Sequence, residues 1–416
     1  MKKILFITHR IPYPPNKGDK IRTFNELKYL SQSNRVDLLC LADEKNDLRH
    51  IPALQKYCHN VYCLPLNGVA AKIRGVFSLL TGRPLTSRYF YLRKIQMATD
   101  RLLAEEGYDA VLCFSSSMAE YVFESKVINL LERQPRLVLD FCDVDSAKWG
   151  QYAKESRFPM NRLYLLEQHL LRQYECRIQA EFDRTVLISA DEVKLFHSFC
   201  SNLDGPTIIS NGVDLDFFDA SSSAREDAET KHPVIVFTGA MDYHVNIKGV
   251  LWFVGNVWPA LRQQLPTLEL YVVGSNPVQE LINLGKQPGI IVTGFVEDIR
   301  TYYERADVCI APLHMGRGVQ NKVLEAMAMS RAVVSTTRAN AGIQGVSGEH
   351  LLVADEADEF RTAVLSLLND HEKRKRLASN ARQFVVDHFN WDHNMQKLQD
   401  LLLNESMPSV ASVDSI

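Results

Sequence analysis

One stretch of the sequence places glycines, two cations and a carboxylate around the start of a predicted helix. Residues 315–328 read MGRGVQNKVLEAMA. A glycine loop that leads into a helix offers free backbone N–H groups and the positive end of the helix dipole, which together bind anions. Arg317 and Lys322 add two cations, and each can contribute about 1.5–3 kcal/mol through a charge-assisted hydrogen bond to phosphate. Glu325 cannot bind phosphate, but it can accept hydrogen bonds from a ribose diol. The stretch therefore predicts a site for a nucleoside diphosphate, with Asn321 as the N-cap.

The same residues also allow a structural interpretation. Lys322 and Glu325 are three residues apart, the spacing of an ion pair on a helix surface, and the glycines also fit an ordinary loop. Three other strand ends in the second half favour the ligand interpretation. They are FTGAMDYHVNIKG, which contains Gly239 and Lys248, VVGSNP, which contains Gly274, and TGFVEDI, which contains Phe295. Four glycine-containing strand ends in succession are stronger evidence than any one of them.

A D-x-D pair, Asp143 and Asp145, follows a strand of the first half in DFCDVDSAKW. Two carboxylates at this spacing can bind a divalent metal. They are also common by chance in acidic loops at strand ends. A third interpretation is that one of the acids binds an acceptor hydroxyl group.

Two further segments of the first half are candidates for ligand contacts. HRIPYPPNKGDKIR contains Gly18, where the backbone can approach a ligand, although taken alone the segment is better explained as a proline-rich β–α connection. Residues 70–96 contain several cations and aromatic residues but no acid, and Arg83, Arg88 and Arg93 are among the cations. Such a segment suits an anionic membrane surface or a lipid-phosphate acceptor. A solvated helix pair whose cations extend into water is the alternative.

The composition excludes several broad classes of protein. The net charge of −3 over 416 residues argues against a general nucleic-acid binder. The 8 cysteines form no C-x-x-C pair, so we expect neither a disulfide framework nor a zinc site. The apolar run in MKKILFITHR is too short for a signal peptide, and no apolar run approaches the roughly 20 residues of a membrane-spanning helix. We therefore expect a cytoplasmic protein that can make peripheral contact with the inner face of the cell membrane.

Short Val/Ile/Leu-rich runs alternate with helical patterns along the whole chain, which predicts a doubly wound α/β fold. The polar stretch 201–233 interrupts this alternation and indicates a domain boundary. We predict a Rossmann-like acceptor domain over 1–205 and a donor domain over 206–389, facing a cleft. A helix over 390–402 is expected to pack back on the first domain, and 403–416 to form a disordered tail.

The order of the second-half motifs resembles the nucleotide-sugar domain of retaining GT-B glycosyltransferases of the family-four type. The motifs are NGVD, FTGAMDY, VVGSNP, TGFVEDIRTYYERADVCIAPL and KVLEAMAMSRAVVST. With HRIPYPPNKGDKIR and DFCDVDSAKW, they most resemble the sugar transferases associated with exosortase/PEP-CTERM exopolysaccharide systems. The resemblance implies a donor sugar nucleotide on the second half, an acceptor on the first half, and retaining chemistry that needs no metal.

This sequence departs from the family pattern in the donor half. The family motif is E-x(7)-E; Glu325 matches its second acid, expected on the ribose hydroxyl groups, and Arg317 stands in place of the first. Lys248 matches a phosphate-binding lysine, whereas Ala240 and Met241 occupy the place of its partner arginine. We infer that Arg317 and Lys322 neutralise the diphosphate instead.

The acceptor half departs as well. Related enzymes commonly have a general-base histidine after the strand that matches 137–141. Cys142 and Asp143 stand at this place. Asp143 is therefore the nearest analogue of that base.

The sequence thus predicts a retaining, metal-independent hexosyltransferase of exopolysaccharide biosynthesis. Its substrates would be a UDP- or GDP-linked sugar and a glycan or lipid-linked acceptor, with no cofactor and no nucleic acid. A nucleotide-sugar 2-epimerase of GT-B fold and a non-catalytic nucleotide-sugar binding protein are the alternatives. The predicted catalytic residues are Asp143, Arg317 and Lys322. The predicted donor-binding residues are Gly18, Gly239, Lys248, Gly274, Phe295, Gly316, Gly318, Val319 and Glu325. Arg83, Arg88 and Arg93 are assigned to the acceptor or the membrane.

Overall fold

The structure is a computed structural model that describes residues 1–201, 203–219, 232–316 and 318–404. The chain divides into two compact units, one formed by Met1–Ser210 with the chain from Asp392 onward, the other by Asn211–Trp391. We call them the N-unit and the C-unit. Each unit has its own hydrophobic core around a parallel β-sheet. Arg317 and residues 405–416 of the predicted tail lie outside the described residues.

The N-unit contains a seven-stranded sheet of order β3-β2-β1-β4-β5-β6-β7, in which all pairs are parallel. Its strands are β1 (Lys3–Thr8), β2 (Arg35–Ala42), β3 (Asn60–Pro65), β4 (Ala110–Phe114), β5 (Arg136–Cys142), β6 (Arg184–Leu187) and β7 (Thr207–Ile208). Its helices are α1 (Gly18–Leu30), α2 (Ile51–Leu54), α3 (Gly68–Ser78), α4 (Leu85–Tyr89), α5 (Arg93–Glu106), α6 (Glu120–Phe123), α7 (Asp145–Glu155), α8 (Met160–Glu181) and α9 (Ala190–His197). Short 3-10 turns lie at Lys45–His50, Leu79–Thr81, Ser116–Ala119 and Ile128–Leu130.

The C-unit contains a six-stranded parallel sheet of order β10-β9-β8-β11-β12-β13. Its strands are β8 (Val234–Thr238), β9 (Glu269–Val273), β10 (Ile290–Gly294), β11 (Val308–Ala311), β12 (Ala332–Ser335) and β13 (Leu352–Val353). Its helices are α10 (His244–Asn256), α11 (Trp258–Gln264), α12 (Gln279–Leu284), α13 (Arg300–Arg305), α14 (Asn321–Ala328), α15 (Thr337–Asn340), α16 (Ala357–Asn369) and α17 (His371–His388). The last helix, α18 (Trp391–Leu403), belongs to the N-unit from Asp392 onward.

The predicted α/β class with two Rossmann-like, doubly wound domains is confirmed. In each sheet the strand order reverses once, between β1 and β4 in the N-unit and between β8 and β11 in the C-unit. Ligands of such sheets bind beyond the carboxyl ends of the strands at this reversal. The loop after β11 contains the glycine motif, so the motif lies at the edge where sheets of this type bind ligands.

Several boundaries differ from the sequence predictions. The short edge strands β7 and β13 were not predicted, and Val257 separates the helices α10 and α11. The units divide after Ser210 rather than after 205, because β7 pairs with β6 and the Ser210 hydroxyl donates to the Ile188 carbonyl at 2.9 Å.

The last helix is fixed to the N-unit by polar contacts. The Tyr29 hydroxyl donates to Gln396 Oε1 at 2.5 Å, and Asn34 Nδ2 donates to Gln399 Oε1 at 3.0 Å. Within the described residues, no helix is both long and apolar enough to cross a membrane.

We expect a methyl group at Gly274 to destabilise the C-unit strongly. A Cβ there would lie 1.7 Å from the Gly239 carbonyl oxygen, and φ is +153°. Gly274→Ala should lower the free energy of unfolding by about 2–4 kcal/mol, because both backbones must move and the residue is strained. Urea denaturation measures this, with Gly255→Ala as the control. A Cβ at Gly255 meets nothing within 4 Å, so that helical substitution should raise stability by about 0.5–1 kcal/mol. Equal stability of the two variants would contradict the close contact.

Candidate functional site

Two glycines bring the ends of β8 and β9 into direct backbone contact. The Gly239 N–H donates to the Val273 carbonyl at 3.0 Å, and Gly239 and Gly274 have φ values of +151° and +153°. A Cβ on Gly239 would lie 2.6 Å from Asn246 Nδ2 and 3.3 Å from Lys322 Cε. The missing side chain at Gly239 therefore leaves the space that Asn246 and Lys322 occupy.

The loop between β11 and α14 needs glycine at two places. Gly316 has φ of +95° and Gly318 has φ of +73°, conformations that residues with a Cβ adopt rarely. A Cβ on Gly316 would meet Val245 at 3.2 Å. A Cβ on Gly342 would lie 2.5 Å from the Gly318 carbonyl oxygen. The glycines thus fix the shape of this loop. Arg317, a predicted catalytic residue, stands between them in the sequence and lies outside the described residues.

Lys322 lies in the first turn of α14 with its ammonium group directed at α10. Its Nζ donates to Asn246 Oδ1 at 2.6 Å and lies 5.0 Å from the centroid of the Phe237 ring. Asn246 is held in turn, because its Nδ2 donates to the Ala240 carbonyl at 2.8 Å. Burial lowers the pKa of Lys322 to about 8, and the nearby charge of Glu325 opposes that shift. An anion placed here would restore the pKa of the lysine and gain a desolvated cation as its partner.

Glu325 has a partner of its own rather than the lysine. The Tyr303 hydroxyl donates to Glu325 Oε2 at 2.8 Å and lies 2.8 Å from Thr238 Oγ1. Burial raises the pKa of Glu325, while the hydrogen bond from Tyr303 and the charge of Lys322 lower it. Since Lys322 and Glu325 each bind a different side chain, the structure favours two separately positioned groups over an ion pair on a helix surface.

The structure corrects the assignment of Asn321. The helix begins at Asn321 and Gln320 holds the N-cap position, so Asn321 is the first helical residue and not the cap. Asn321 Oδ1 is buried and accepts no hydrogen bond from any of the described residues. The start of α14 therefore holds one buried acceptor without a partner among the described residues.

Three predicted donor-binding residues have surroundings different from those of Lys322. Lys248 is exposed on α10, whereas Asn246, two residues before it, faces Lys322. Phe295 is 77% exposed beyond β10, and Val319 packs against the core of the C-unit. Sequence reasoning missed Asn246, Tyr303 and Thr238. The asparagine in the first turn of α10 was a usable signal, but the hydroxyl pair was not, since it joins residues 65 positions apart.

In the N-unit the D-x-D pair is already bridged by a cation. Lys148 Nζ lies 3.3 Å from Asp143 Oδ2 and 3.3 Å from Asp145 Oδ1. The Ser116 hydroxyl donates to Asp145 Oδ2 at 2.7 Å. No group of three or more metal-binding side chains occurs among the described residues. Asp143 Oδ1 is buried and has no hydrogen-bond partner among the described residues. Asp143 is therefore the acid of the pair with an unused acceptor atom.

Gly18 starts α1, and a Cβ there would meet nothing within 4 Å. The next residue joins a charged cluster at the ends of β1 and β2 that sequence reasoning missed. Asp19 Oδ2 lies 2.6 Å from Arg10 Nη1 and 3.3 Å from His9 Nε2, and Arg10 Nε lies 2.5 Å from Asp43 Oδ2. Burial opposes the charge of Asp19, but His9 and Arg10 hold its pKa well below the usual value.

The three predicted acceptor or membrane arginines have different surroundings. Arg83 Nη1 lies 2.6 Å from Glu124 Oε1, and Arg88 Nη2 lies 2.9 Å from the same oxygen. Both arginines also contact Glu120, at 3.2 and 3.1 Å. Arg93 is exposed at the start of α5. Two of the three arginines are therefore paired inside the N-unit.

Comparison with known proteins supports a glycosyltransferase class for this fold and site. Residues 232–370 match the family model described as Glycosyl transferases group 1. The chain is 24% identical over 401 residues to a Klebsiella pneumoniae protein described as an uncharacterized 44.6 kDa protein in cps region, with 94% of this chain and 97% of that protein covered.

Solved structures share the fold. Sucrose-phosphate synthase from Thermosynechococcus elongatus superposes with a TM-score of 0.70 at 17% identity, covering 96% of this chain and 98% of the synthase. Anabaena HepE in complex with UDP and glucose has a TM-score of 0.65 at 16% identity, and the match covers 97% of this chain and 100% of HepE. These likenesses confirm the GT-B type of fold.

We expect replacement of Lys322 to stabilise the protein at neutral pH. Lys322→Met should raise the free energy of unfolding at pH 7 by about 1–2 kcal/mol, because the folded state disfavours the charged amine. The folded pKa is about 8 and the unfolded value 10.5, so the unfolded state binds more protons between these pH values. The stability of the wild type should therefore rise over this interval, and the advantage of the variant should shrink.

Urea denaturation between about pH 7 and pH 9.5 measures this difference. Lys375→Met, which replaces an exposed lysine on α17, is the control and should change stability by no more than about 0.5 kcal/mol at any pH. A destabilised Lys322→Met protein at pH 7 would show that the ammonium group is not held at a cost.

Proposed function

We propose that this protein transfers a sugar from a nucleoside-diphosphate sugar to a glycan or lipid-linked acceptor, with retention and without a metal. The observation that carries the proposal is the arrangement at the start of α14. There Lys322 and Glu325 occupy one helical turn at the strand-order reversal and are held apart by Asn246 and Tyr303. A cation and a carboxylate about one turn apart fit a diphosphate and a ribose diol.

The proposed chemistry is electrostatic. As the bond from sugar to phosphate breaks, negative charge develops on the departing diphosphate. Lys322 and the first turn of α14 stabilise that charge because they are positioned before the reaction starts, and the proposal adds Arg317 as a second cation. Lys322 is partly desolvated, which strengthens its interaction with an anion relative to water.

We propose Asp143 as the acid that orients or deprotonates the acceptor hydroxyl group. Its Oδ2 is held by Lys148, which leaves the unpartnered Oδ1 available for a hydrogen bond. Because Lys148 bridges both acids of the D-x-D pair, the proposal assigns no metal to them. Chelator should then leave turnover unchanged.

The finer assignments are also proposals. The relative described by its cps region supports a polysaccharide acceptor, and HepE, solved with UDP and glucose, supports testing UDP-sugars first. An exosortase-associated exopolysaccharide role and a cytoplasmic site of action rest on the sequence resemblance.

We expect Glu325 to recognise the ribose of the donor. The wild type should bind UDP about tenfold more tightly than 2′-deoxy-UDP, because one hydrogen bond to a charged acceptor is lost. In Glu325→Gln the ratio of the two dissociation constants should fall toward one. Calorimetry measures the constants, after a thermal-shift screen of UDP, GDP and ADP has identified the nucleotide that stabilises most.

Glu349→Gln is the control, since Glu349 is an exposed carboxylate of the C-unit and should keep the wild-type ratio. An unchanged ratio in Glu325→Gln would remove Glu325 from the ribose site.

We expect nucleotide release from the preferred donor to require an acceptor, and Lys322→Ala to reduce it by about 100-fold or more. Release should be measured with and without a polyprenyl-phosphate-linked glycan, and again after addition of chelator. Release that does not depend on any acceptor, together with an epimerised sugar product, would instead support the 2-epimerase. Donor binding without turnover under any condition would support the non-catalytic binder.

A further inference from the structure

The helix α3 exposes its large apolar side chains and buries its small ones. Its buried positions are Ala71, Gly75 and Ser78. On the opposite side, continued by the 3-10 turn Leu79–Thr81, lies a row of exposed apolar residues. We call it the apolar stripe; it comprises Val69, Ile73, Val76, Phe77 and Leu80, exposed by 71%, 55%, 54%, 63% and 82%. At 100° per residue the five positions cover about 100° of the helix surface, the width of a face that is normally buried.

This exposure is imposed by how α3 is held. Asn67 Oδ1 accepts hydrogen bonds from Val69 N and Ala70 N and fixes the first turn. Arg74 donates to the Arg88 carbonyl at 2.7 Å and to the Tyr89 carbonyl at 2.8 Å. The helix is thus anchored through its small residues and Arg74, so it cannot turn the stripe inward without losing these contacts.

Gly75 shows how close this packing is. A Cβ on Gly75 would lie 3.0 Å from Leu85 Cγ and 3.2 Å from the Leu85 carbonyl oxygen. The buried side of α3 therefore accepts only small residues. The large side chains have no place there, and the stripe must face outward.

All the charged residues in the segment that contains the stripe, residues 48–99, are cations. The sequence contains no acid between Asp47 and Asp100. Arg83 and Arg88 are paired with Glu120 and Glu124, but Lys72 on α3 itself is exposed, as are Arg93 and Lys94 at the start of α5. An exposed apolar row with an exposed cation on the same helix, in a segment without acids, fits a surface that is apolar and anionic at once.

We propose that α3 and its following turn dock on an anionic lipid membrane, with the apolar stripe at the boundary between headgroups and acyl chains. Amphipathic helices with cations beside the apolar face bind membranes in this way. A second copy of the chain is a poorer partner, because a symmetric contact through this surface would place Lys72 near its own copy. The inference rests on the exposure and charge of α3 and not on the proposed transfer reaction.

Vesicle flotation tests the proposal with the full-length protein and no nucleotide. Two vesicle types are used, phosphatidylcholine alone and phosphatidylcholine with phosphatidylglycerol at about 3:1. The wild type should float with the anionic vesicles and much less with the neutral ones. Phe77→Ser/Leu80→Ser should reduce partitioning by about tenfold or more, because two of the inserted apolar side chains are lost.

The matched control is Leu130→Ser/Phe158→Ser, which removes a leucine and a phenylalanine of the N-unit that are both 81% exposed. It should partition like the wild type. Thermal unfolding confirms that both variants are folded, and UDP affinity, measured without vesicles, should be the same in all three proteins.

Three results would overturn the proposal: no flotation of the wild type, equal flotation of the α3 variant, or an equal loss in the control. Size-exclusion chromatography adds a fourth. A wild-type dimer that Phe77→Ser/Leu80→Ser converts to a monomer, without any vesicle binding, would identify a second copy as the partner.

Discussion

The position of the Lys322 ammonium group is the constraint around which the candidate site of the C-unit is arranged. Burial lowers the pKa of this lysine to about 8, so the folded protein holds a cation where a cation is disfavoured. Such a placement persists only when the surrounding structure enforces it. Gly239 supplies the space, Asn246 supplies the acceptor and Phe237 supplies the ring face. Each of these contributions depends on β8 and β11 being neighbours at the reversal of strand order.

The placement of the Lys322 ammonium group also affects what Glu325 can do. A carboxylate one turn away would pair with the lysine and cancel its charge if its side chain were unrestrained. Tyr303 prevents this, since its hydroxyl group donates to Glu325 and is itself held beside Thr238. The acid still lowers the cost of the charged lysine through the longer-range interaction. The helix therefore presents two opposite charges to a ligand instead of one neutral pair.

Much of the fold was predictable because buried parallel strands leave continuous apolar runs in the sequence. Strand β1 coincides with the continuous apolar run KILFIT, whereas β7 and β13 are two residues long and leave no pattern. Among the residues of the site, the glycines and Lys322 were recognisable from the loop-to-helix motif.

The partners in the N-unit were not predictable. The pairing of Arg83 and Arg88 with Glu120 and Glu124 joins positions more than 30 residues apart, so the segment appeared as a free cationic surface. The α3 sequence likewise shows one apolar and one small-residue face. Only the packing against Leu85 decides which face is buried.

The acids at the ends of the N-unit strands and the Lys322 cation of the C-unit have different kinds of partner. This difference bears on which ligand each of them can bind. In the N-unit the acids at the strand ends have cationic partners: Asp19 has Arg10, Asp143 and Asp145 have Lys148, and Asp140 has Arg22. In the C-unit, the hydrogen-bond acceptor of the Lys322 ammonium group is a neutral amide rather than a carboxylate. A neutral sugar or glycan hydroxyl group gains little from compensated acids beyond single hydrogen bonds, such as one to Asp143 Oδ1. A diphosphate gains most from a cation that is positioned and only partly solvated. The charge of Lys322 therefore suits an anionic ligand, whereas the acids at the N-unit strand ends are already paired with cations.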